Sequence, residues 1–421
     1  MPRILHIGVG NFHRAHQATY TAQAADGWSI TGVVMGNTAV FEAMEDGRGY
    51  ALGIRGPQGM TQQQITVHDR MLLARRDPQA VIDAFVDPDL HVVTLTITEK
   101  GYCIDQKTGT LDLSHPAIAK DLAGDPTSAI GLLAHGLASR ATVGLSALTV
   151  ISCDNLSGNG RKTCNAVKAF AEHAELTLDQ ATRFPDSMVD RITPATPDAH
   201  APIITEEFTE WVIEDNFAGP RPNWETAGAE FTPDVGPFEM RKLRLLNAAH
   251  SWLAYAGQIA GHTYVHEAME NPDLRNAVER LWDEAQSTLP DTVQPSTPAY
   301  RAALVERFAV TEMRHELAQI GADGSLKLRE RIVPLIAHSD RSDQATETVA
   351  AWVAFVMGKI ETGGVLLDPY ADEISEIAVR SVDLMAKCKA LLKLIGLSEV
   401  SDSWLVNFVG QVSEYSSRLR A

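Results

Sequence analysis

The sequence predicts an α/β fold: a doubly wound parallel sheet in the N-terminal half, followed by a mostly α-helical C-terminal half. Short β-branched runs alternate with helical stretches early in the chain, the order expected of a parallel sheet covered on both faces. A glycine turn directly follows the first of those runs. From Glu239 onward the strand signals stop and a helical period takes over.

Taken in order, residues 4–9, 30–35, 92–98 and 148–153 read as strands. The last three are apolar without strict alternation, as buried parallel strands are. Residues 78–85 and 166–174 read as helices lying between or after them. A Pro- and Gly-rich stretch at residues 219–224, with another at 232–237, marks a boundary. The chain therefore divides into residues 1–236 and 237–421, and helices are expected at 239–258, 271–286, Asp343–Glu361 and 371–395.

The 421 residues are enough for two domains, each with its own core. Acidic residues outnumber basic ones 54 to 36, a net charge of −18, which argues against nucleic acid or an anionic membrane as partner. No run has the apolar length of a membrane span, and the strand beginning at Arg3-Ile4 leaves no room for a signal peptide. Cys103, Cys153, Cys164 and Cys388 are scattered without metal spacing. The expectation is a cytoplasmic, reduced protein with no metal site, a monomer or small homo-oligomer.

In Gly8-Val9-Gly10-Asn11-Phe12-His13, Gly8 permits a tight turn and Gly10 lets the backbone approach a pyrophosphate at a helix N-terminus. His13 stands where the usual fingerprint has its third glycine. The second strand ends Met35-Gly36-Asn37-Thr38, without an acidic residue for a ribose hydroxyl or a clear arginine for a 2′-phosphate, so NAD and NADP both remain open here. Two further strand ends, Thr98-Glu99-Lys100-Gly101-Tyr102 and Ser152-Cys153-Asp154-Asn155, point to the same end of the sheet. Asn155 either faces a ligand there or closes an Asx turn.

On a helical wheel of about 100° per residue, Lys242 lies at 0°, Glu239 near 60°, His250 near 80° and Asn247 near 140°. Leu243 and Leu246 share that arc, whereas Arg241, Arg244 and Ala248 point away, toward solvent or a salt bridge. A buried lysine tends toward the neutral form, which can act as a general base. The alternative is a snorkelling lysine, a capping asparagine and a core histidine.

Together these segments resemble the polyol-specific long-chain dehydrogenase/reductase family, which includes mannitol 2-dehydrogenase and the hexuronate reductases. The resemblance runs almost end to end. Besides the motifs above it takes in Ser187-Met188-Val189-Asp190-Arg191-Ile192-Thr193-Pro194, Trp211-Val212-Ile213-Glu214-Asp215 and Asp323-Gly324-Ser325-Leu326-Lys327. It implies a metal-free, NAD-dependent enzyme with a Rossmann-type N-terminal domain and a helical substrate-binding domain. It also implies a catalytic Lys242, oxyanion-binding Asn155 and Asn247, a substrate-contacting His250, and Asp190 and Lys327 in the substrate region. Gly8, Gly10, Asn11, Phe12, Thr98 and Glu99 are the implied cofactor contacts.

Lys100 and Gln319 occupy positions where this chain resembles the fructuronate reductases rather than the mannitol dehydrogenases. The expected reaction is therefore between D-mannonate and D-fructuronate, with mannitol and fructose as the alternative pair and a non-catalytic nucleotide-binding regulator as a remote third. Lys100 and Lys327 would supply charge for a substrate carboxylate, or else meet a cofactor phosphate or an ion-pair partner.

Overall fold

In the computed structural model, which describes residues 1–420 except 57–58, 106–107, 195, 197, 339–342 and 381–382, the chain separates into units Met1–Gly236 and Pro237–Ala421. The strands of the first unit are β1 (Arg3–Ile7), β2 (Ser29–Val34), β3 (Tyr50–Gly56), β4 (Gly59–Ile65), β5 (His68–Leu73) and β6 (Leu90–Leu95). After these come β7 (Thr149–Ser152), β8 (Ser187–Asp190), β9 (Ile203–Glu206), β10 (Glu210–Glu214) and β11 (Glu230–Thr232).

A five-stranded parallel sheet runs β5-β2-β1-β6-β7. Strands β1, β2, β6 and β7 are mostly apolar on both sides, with successive residues facing opposite layers, whereas the edge strand β5 exposes Asp69 and Arg70. Leu5, Ile7, Val93 and Leu95 join one core with Phe85, Leu133 and Phe170 from the helices. Ile4, Val34, Val92 and Ile151 join the other, with Phe41, Trp211 and Trp224. The chain leaves β1 toward β2 on one side and returns on the other as β6, so the order reverses between β1 and β6. Ligands of open α/β sheets bind at such a point, beyond the carboxyl ends of the strands.

Two small sheets, β4-β3-β9 and β11-β10-β8, complete the unit and mix parallel with antiparallel pairing. Neither was expected from the sequence. The strand expected to continue to residue 98 ends at Leu95, and Thr98–Gly101 is instead a single helical turn.

The second unit is helical throughout its described elements. Its central rod spans Gly236–Lys242, Leu243–Asn247, Ala248–Trp252 and Leu253–Gly257, the second and fourth pieces being π-helical. Helices Val265–Glu270, Pro272–Gln286, Leu317–Ile320, Gly324–Arg331 and Asp343–Glu361 pack on it: the Trp282 indole donates to the Leu245 carbonyl at 3.0 Å, and Trp252 donates to Leu274 at 3.2 Å. The side expected to face solvent or a salt bridge is only partly open. Ala248 is fully buried, and Arg241 is buried with its guanidinium 4.5 Å from the Tyr300 ring centre and bonded to Ser296, whereas Arg244 is half-buried and donates to the Thr288 carbonyl at 2.5 Å. The helix expected over 371–395 is Ala371–Arg380 and Leu384–Leu394, and residues 381–382 between them lie outside the described residues.

Candidate active site

Gly8 adopts φ +100°, and a Cβ there would lie 2.2 Å from the Thr96 carbonyl oxygen, so only glycine fits this turn. The Thr96 hydroxyl donates to the Gly8 carbonyl at 2.8 Å, tying the ends of β6 and β1 together. Beside this turn lies a cleft of about 420 Å³, walled by Gly8, Met35, Gly36, Asn37, Thr98 and Lys100 among others. Gly10, Asn11, Phe12 and Glu99 are not among its walls. Asn11 instead bonds the Pro194 carbonyl and accepts from Arg14, while Phe12 stacks on His16. Glu99 is exposed on the Thr98–Gly101 turn.

His13, the residue in place of the third glycine, is fully buried. Its ring stacks on His6 at 3.4 Å between centroids, and its Nε2 meets the Nε2 of His68 at 2.9 Å. A hydrogen bond between two such nitrogens needs one donor and one acceptor, so at least one of these rings is neutral. Burial, reinforced by the neighbouring imidazoles, holds His13 well below the usual histidine range; burial likewise lowers His6, and His68 falls to about 4. His6 continues the chain through Thr94 and Thr96 at 2.8 and 2.9 Å. The histidine thus replaces close helix–strand packing by ring stacking beneath the glycine turn.

The ends of β6 and β7 are locked by residues whose role the sequence did not disclose. The Asp154 carboxylate accepts from the Ile97 and Thr98 N–H groups at 2.8 and 2.9 Å and from the Tyr102 hydroxyl at 2.7 Å. Burial raises its pKa, against the pull of those donors. Asn159 is fully buried and its amide donates to the carbonyls of Ser152, Asp154 and Ser187, while its oxygen accepts from Ser187 N–H. A buried, fully bonded amide just after a strand end was the available signal. Between them stands Asn155, exposed, and Asp190 is buried at the end of β8.

In the second unit Lys242, Asn247 and His250 are all buried, at 9%, 6% and 7% exposure. Lys242 immediately precedes the first π turn and Asn247 closes it. The i→i+5 bonding of a π turn adds a residue per turn, which rotates Asn247 back toward the Lys242 side from its position on the α-helical wheel. The Asn247 Nδ2 and His250 Nε2 are buried with no hydrogen-bond partner among the described residues. Buried polar atoms in that state are open to a bond from a ligand, a water or an ion. Burial, then the charges of His315, Arg331, Arg307 and Lys327, keep His250 well below its ordinary pKa. Lys327 is half-buried and Gln319 is exposed on the short helix Leu317–Ile320. Among the described residues, no group of three or more His, Cys, Asp or Glu side chains is arranged to hold a metal ion. No described helix is long and apolar enough to cross a membrane.

The family models for the mannitol dehydrogenase Rossmann domain and the mannitol dehydrogenase C-terminal domain match residues 2–226 and 234–414. The chain belongs to the mannitol dehydrogenase family. It is an oxidoreductase of that family with the parallel-sheet and helical domains described above. Its relatives include D-mannonate oxidoreductase of Escherichia coli, 35% identical over 98% of this chain and 92% of that protein. Mannitol 2-dehydrogenase of Phaeosphaeria nodorum is 36% identical over 92% of this chain and 75% of its own length. Among solved structures, Pseudomonas fluorescens mannitol 2-dehydrogenase, in a ternary complex with NAD and D-mannitol, superposes with a TM-score of 0.81 at 33% identity. That match covers all of this chain and 92% of the other.

Proposed function

We propose that this mannitol dehydrogenase family member interconverts D-mannonate and D-fructuronate with NAD, using Lys242 as acid and base. The observation that carries the reading is a buried lysine on one π-distorted helix with an asparagine and a histidine whose Nδ2 and Nε2 have no hydrogen-bond partner among the described residues. Oxidising a secondary alcohol requires removal of the hydroxyl proton, and carbonyl reduction requires its return. Lys242 takes the proton as an amine and returns it as an ammonium. Asn247 donates to the substrate oxygen as charge develops there, and Asn155 is proposed as a second amide donor, each worth about 3 kcal/mol. His250, held neutral by burial, orients a neighbouring hydroxyl. Glu239 relays the proton or offsets the charge of Lys242.

The Gly8 turn and the cleft beside it fit a dinucleotide: the glycine conformation is obligatory, and Met35, Gly36 and Asn37, which follow β2, lie at the cleft wall. Bound there, the nicotinamide supplies or accepts hydride. Thr98 and Lys100 are the cleft residues proposed to hold it, with Gly10, Asn11, Phe12 and Glu99 supporting the turn and its surroundings.

The hexuronate pair is favoured because Lys327 adds positive charge near His250 within the same unit, where a substrate carboxylate would be offset and a neutral polyol would not. Likeness to mannitol 2-dehydrogenases supports the alternative of D-mannitol and D-fructose. The deciding experiment is a panel of fructuronate, tagaturonate, fructose and their alcohols with NAD and NADP. A kcat/KM for fructuronate at least tenfold above that for fructose is expected; equal or better use of fructose would reject the hexuronate assignment.

A further inference from the structure

Strand β5 lies beside β2, and Val34 pairs with Leu73 at their carboxyl ends. The pairing continues past both strands: Ala74 N–H donates to the Val34 carbonyl at 2.9 Å, and Arg75 N–H to the Met35 carbonyl at 3.1 Å. Arg75 and Arg76, both exposed, are thereby carried to the corner where Met35, Gly36 and Asn37 wall the cleft beside Gly8. The Arg76 guanidinium lies 4.8 Å from the ring centre of Phe41, on the helix Thr38–Met44 that Asn37 caps.

In a dinucleotide fold the end of the second parallel strand meets the adenosine ribose. An acidic side chain there accepts the 2′-hydroxyl of NAD, and an arginine nearby accommodates the 2′-phosphate of NADP. Here no acid occupies residues 35–38. Asn37 is uncharged, and its Oδ1 accepts the Val40 N–H at 3.3 Å. A Cβ built on Gly36 would meet no atom within 4 Å, so the corner has open space. Asp77, which follows Arg76 in the chain, accepts the Ala80 N–H at 2.9 Å as the cap of helix Pro78–Ala84. A guanidinium presents a planar fork of donors that matches a pair of phosphate oxygens. Two of them at one corner give an anion a local attraction within a chain of net charge −18.

We propose that Arg75 and Arg76 form a 2′-phosphate subsite where β5 meets β2, so that the protein binds NADP(H) as well as NAD(H). The proposal rests on the reading of the cleft beside Gly8 as the dinucleotide site. Arg76 is held toward the Asn37 turn by the Phe41 ring, and Arg75 by its backbone bond to Met35.

The test is fluorescence titration of NADPH and NADH, without substrate, into the full-length wild type, Arg75→Ser, Arg76→Ser and the double variant. The wild type is expected to bind NADPH with a Kd within about tenfold of that for NADH. Each single substitution should weaken NADPH by about tenfold, and the double by about a hundredfold, with NADH changed by less than about twofold because it carries no 2′-phosphate. If Arg76→Ser, which loses the Phe41 contact, does not fold, Arg75→Ser decides alone. A wild type that binds NADH but holds NADPH more than about tenfold less tightly overturns the subsite and leaves the dinucleotide cleft standing. Comparable binding of both, unchanged in the folded variants, overturns the assignment to these arginines. A wild type that binds neither overturns the subsite and the cleft reading together.

Discussion

The Asp154 carboxylate accepts the backbone N–H of Thr98 at 2.9 Å, and Thr98 sits at φ +63°. Left-handed backbone at a threonine costs about 1–3 kcal/mol. Asp154 holds it there and binds Ile97 N–H and the Tyr102 hydroxyl with the same carboxylate. The wall of the cleft beside Gly8 is therefore set from the neighbouring strand end.

Asp154→Ala should remove three hydrogen bonds and let the Thr98 turn relax. We expect a loss of about 2–4 kcal/mol in stability and at least a tenfold weaker NADH affinity, read by chemical denaturation and by fluorescence titration. Folded Asp154→Ala protein that binds NADH like the wild type would show that the turn is not part of the cofactor wall.

Gly8 and Gly10 should respond differently to the same methyl group. At Gly8 the added carbon meets the Thr96 carbonyl at 2.2 Å with a positive φ, whereas at Gly10 the nearest atom within 4 Å is the Gly8 oxygen at 3.8 Å. Gly8→Ala is expected to melt well below the wild type. Gly10→Ala should melt normally and raise the KM for NAD if the cofactor backbone passes there. Thermal melts with matched cofactor titrations separate the two effects.

Four strands of the main sheet were legible because β1, β2, β6 and β7 are mostly apolar on both faces, and runs such as Leu90–Leu95 carry that in their composition; β5, which opens on His68-Asp69-Arg70, was not expected. The small sheets were not. Gly59–Ile65 is largely exposed and polar, and its pairing depends on Tyr50–Gly56 rather than on any pattern of its own. The helix bearing Lys242 was legible as a helix, with Lys242, Asn247 and His250 buried as expected. Its π turns were not, since nothing in the composition of Leu243–Asn247 or Leu253–Gly257 sets a π turn apart from an α turn. The wheel placed Arg241 and Ala248 toward solvent or a salt bridge, and the packing of neighbouring helices buries them.

The buried imidazoles predict acid sensitivity. His68 has a folded pKa of about 4 against an ordinary 6.5, and His6, His13 and His250 are also depressed, chiefly by burial. A depressed folded pKa contributes stability that is fully present above about pH 6.5 and is lost as pH falls toward 4, because the unfolded chain takes up the protons. Melting temperature should therefore fall steeply across that window. His68→Asn, which removes one of these protonation sites, should be less stable at pH 7 and show a shallower decline. An equally steep decline in the variant would remove His68 from the effect.

Lys242 is the most exacting test of the mechanism. Lys242→Ala removes both the proton acceptor and its charge, while Lys242→Arg keeps a charge that does not leave at working pH. If the amine carries the proton, both variants should lose about a thousandfold in kcat. NADH affinity should be preserved, because Gly8, Thr98 and the other cleft residues lie in the first unit. In the wild type, alcohol oxidation should rise with pH as the amine is freed, and carbonyl reduction should fall. An arginine variant nearly as active as the wild type would mean that charge alone is needed there. An alanine variant with a tenth of normal turnover would move the acid and base to another residue, with Glu239 next in line on the same rod.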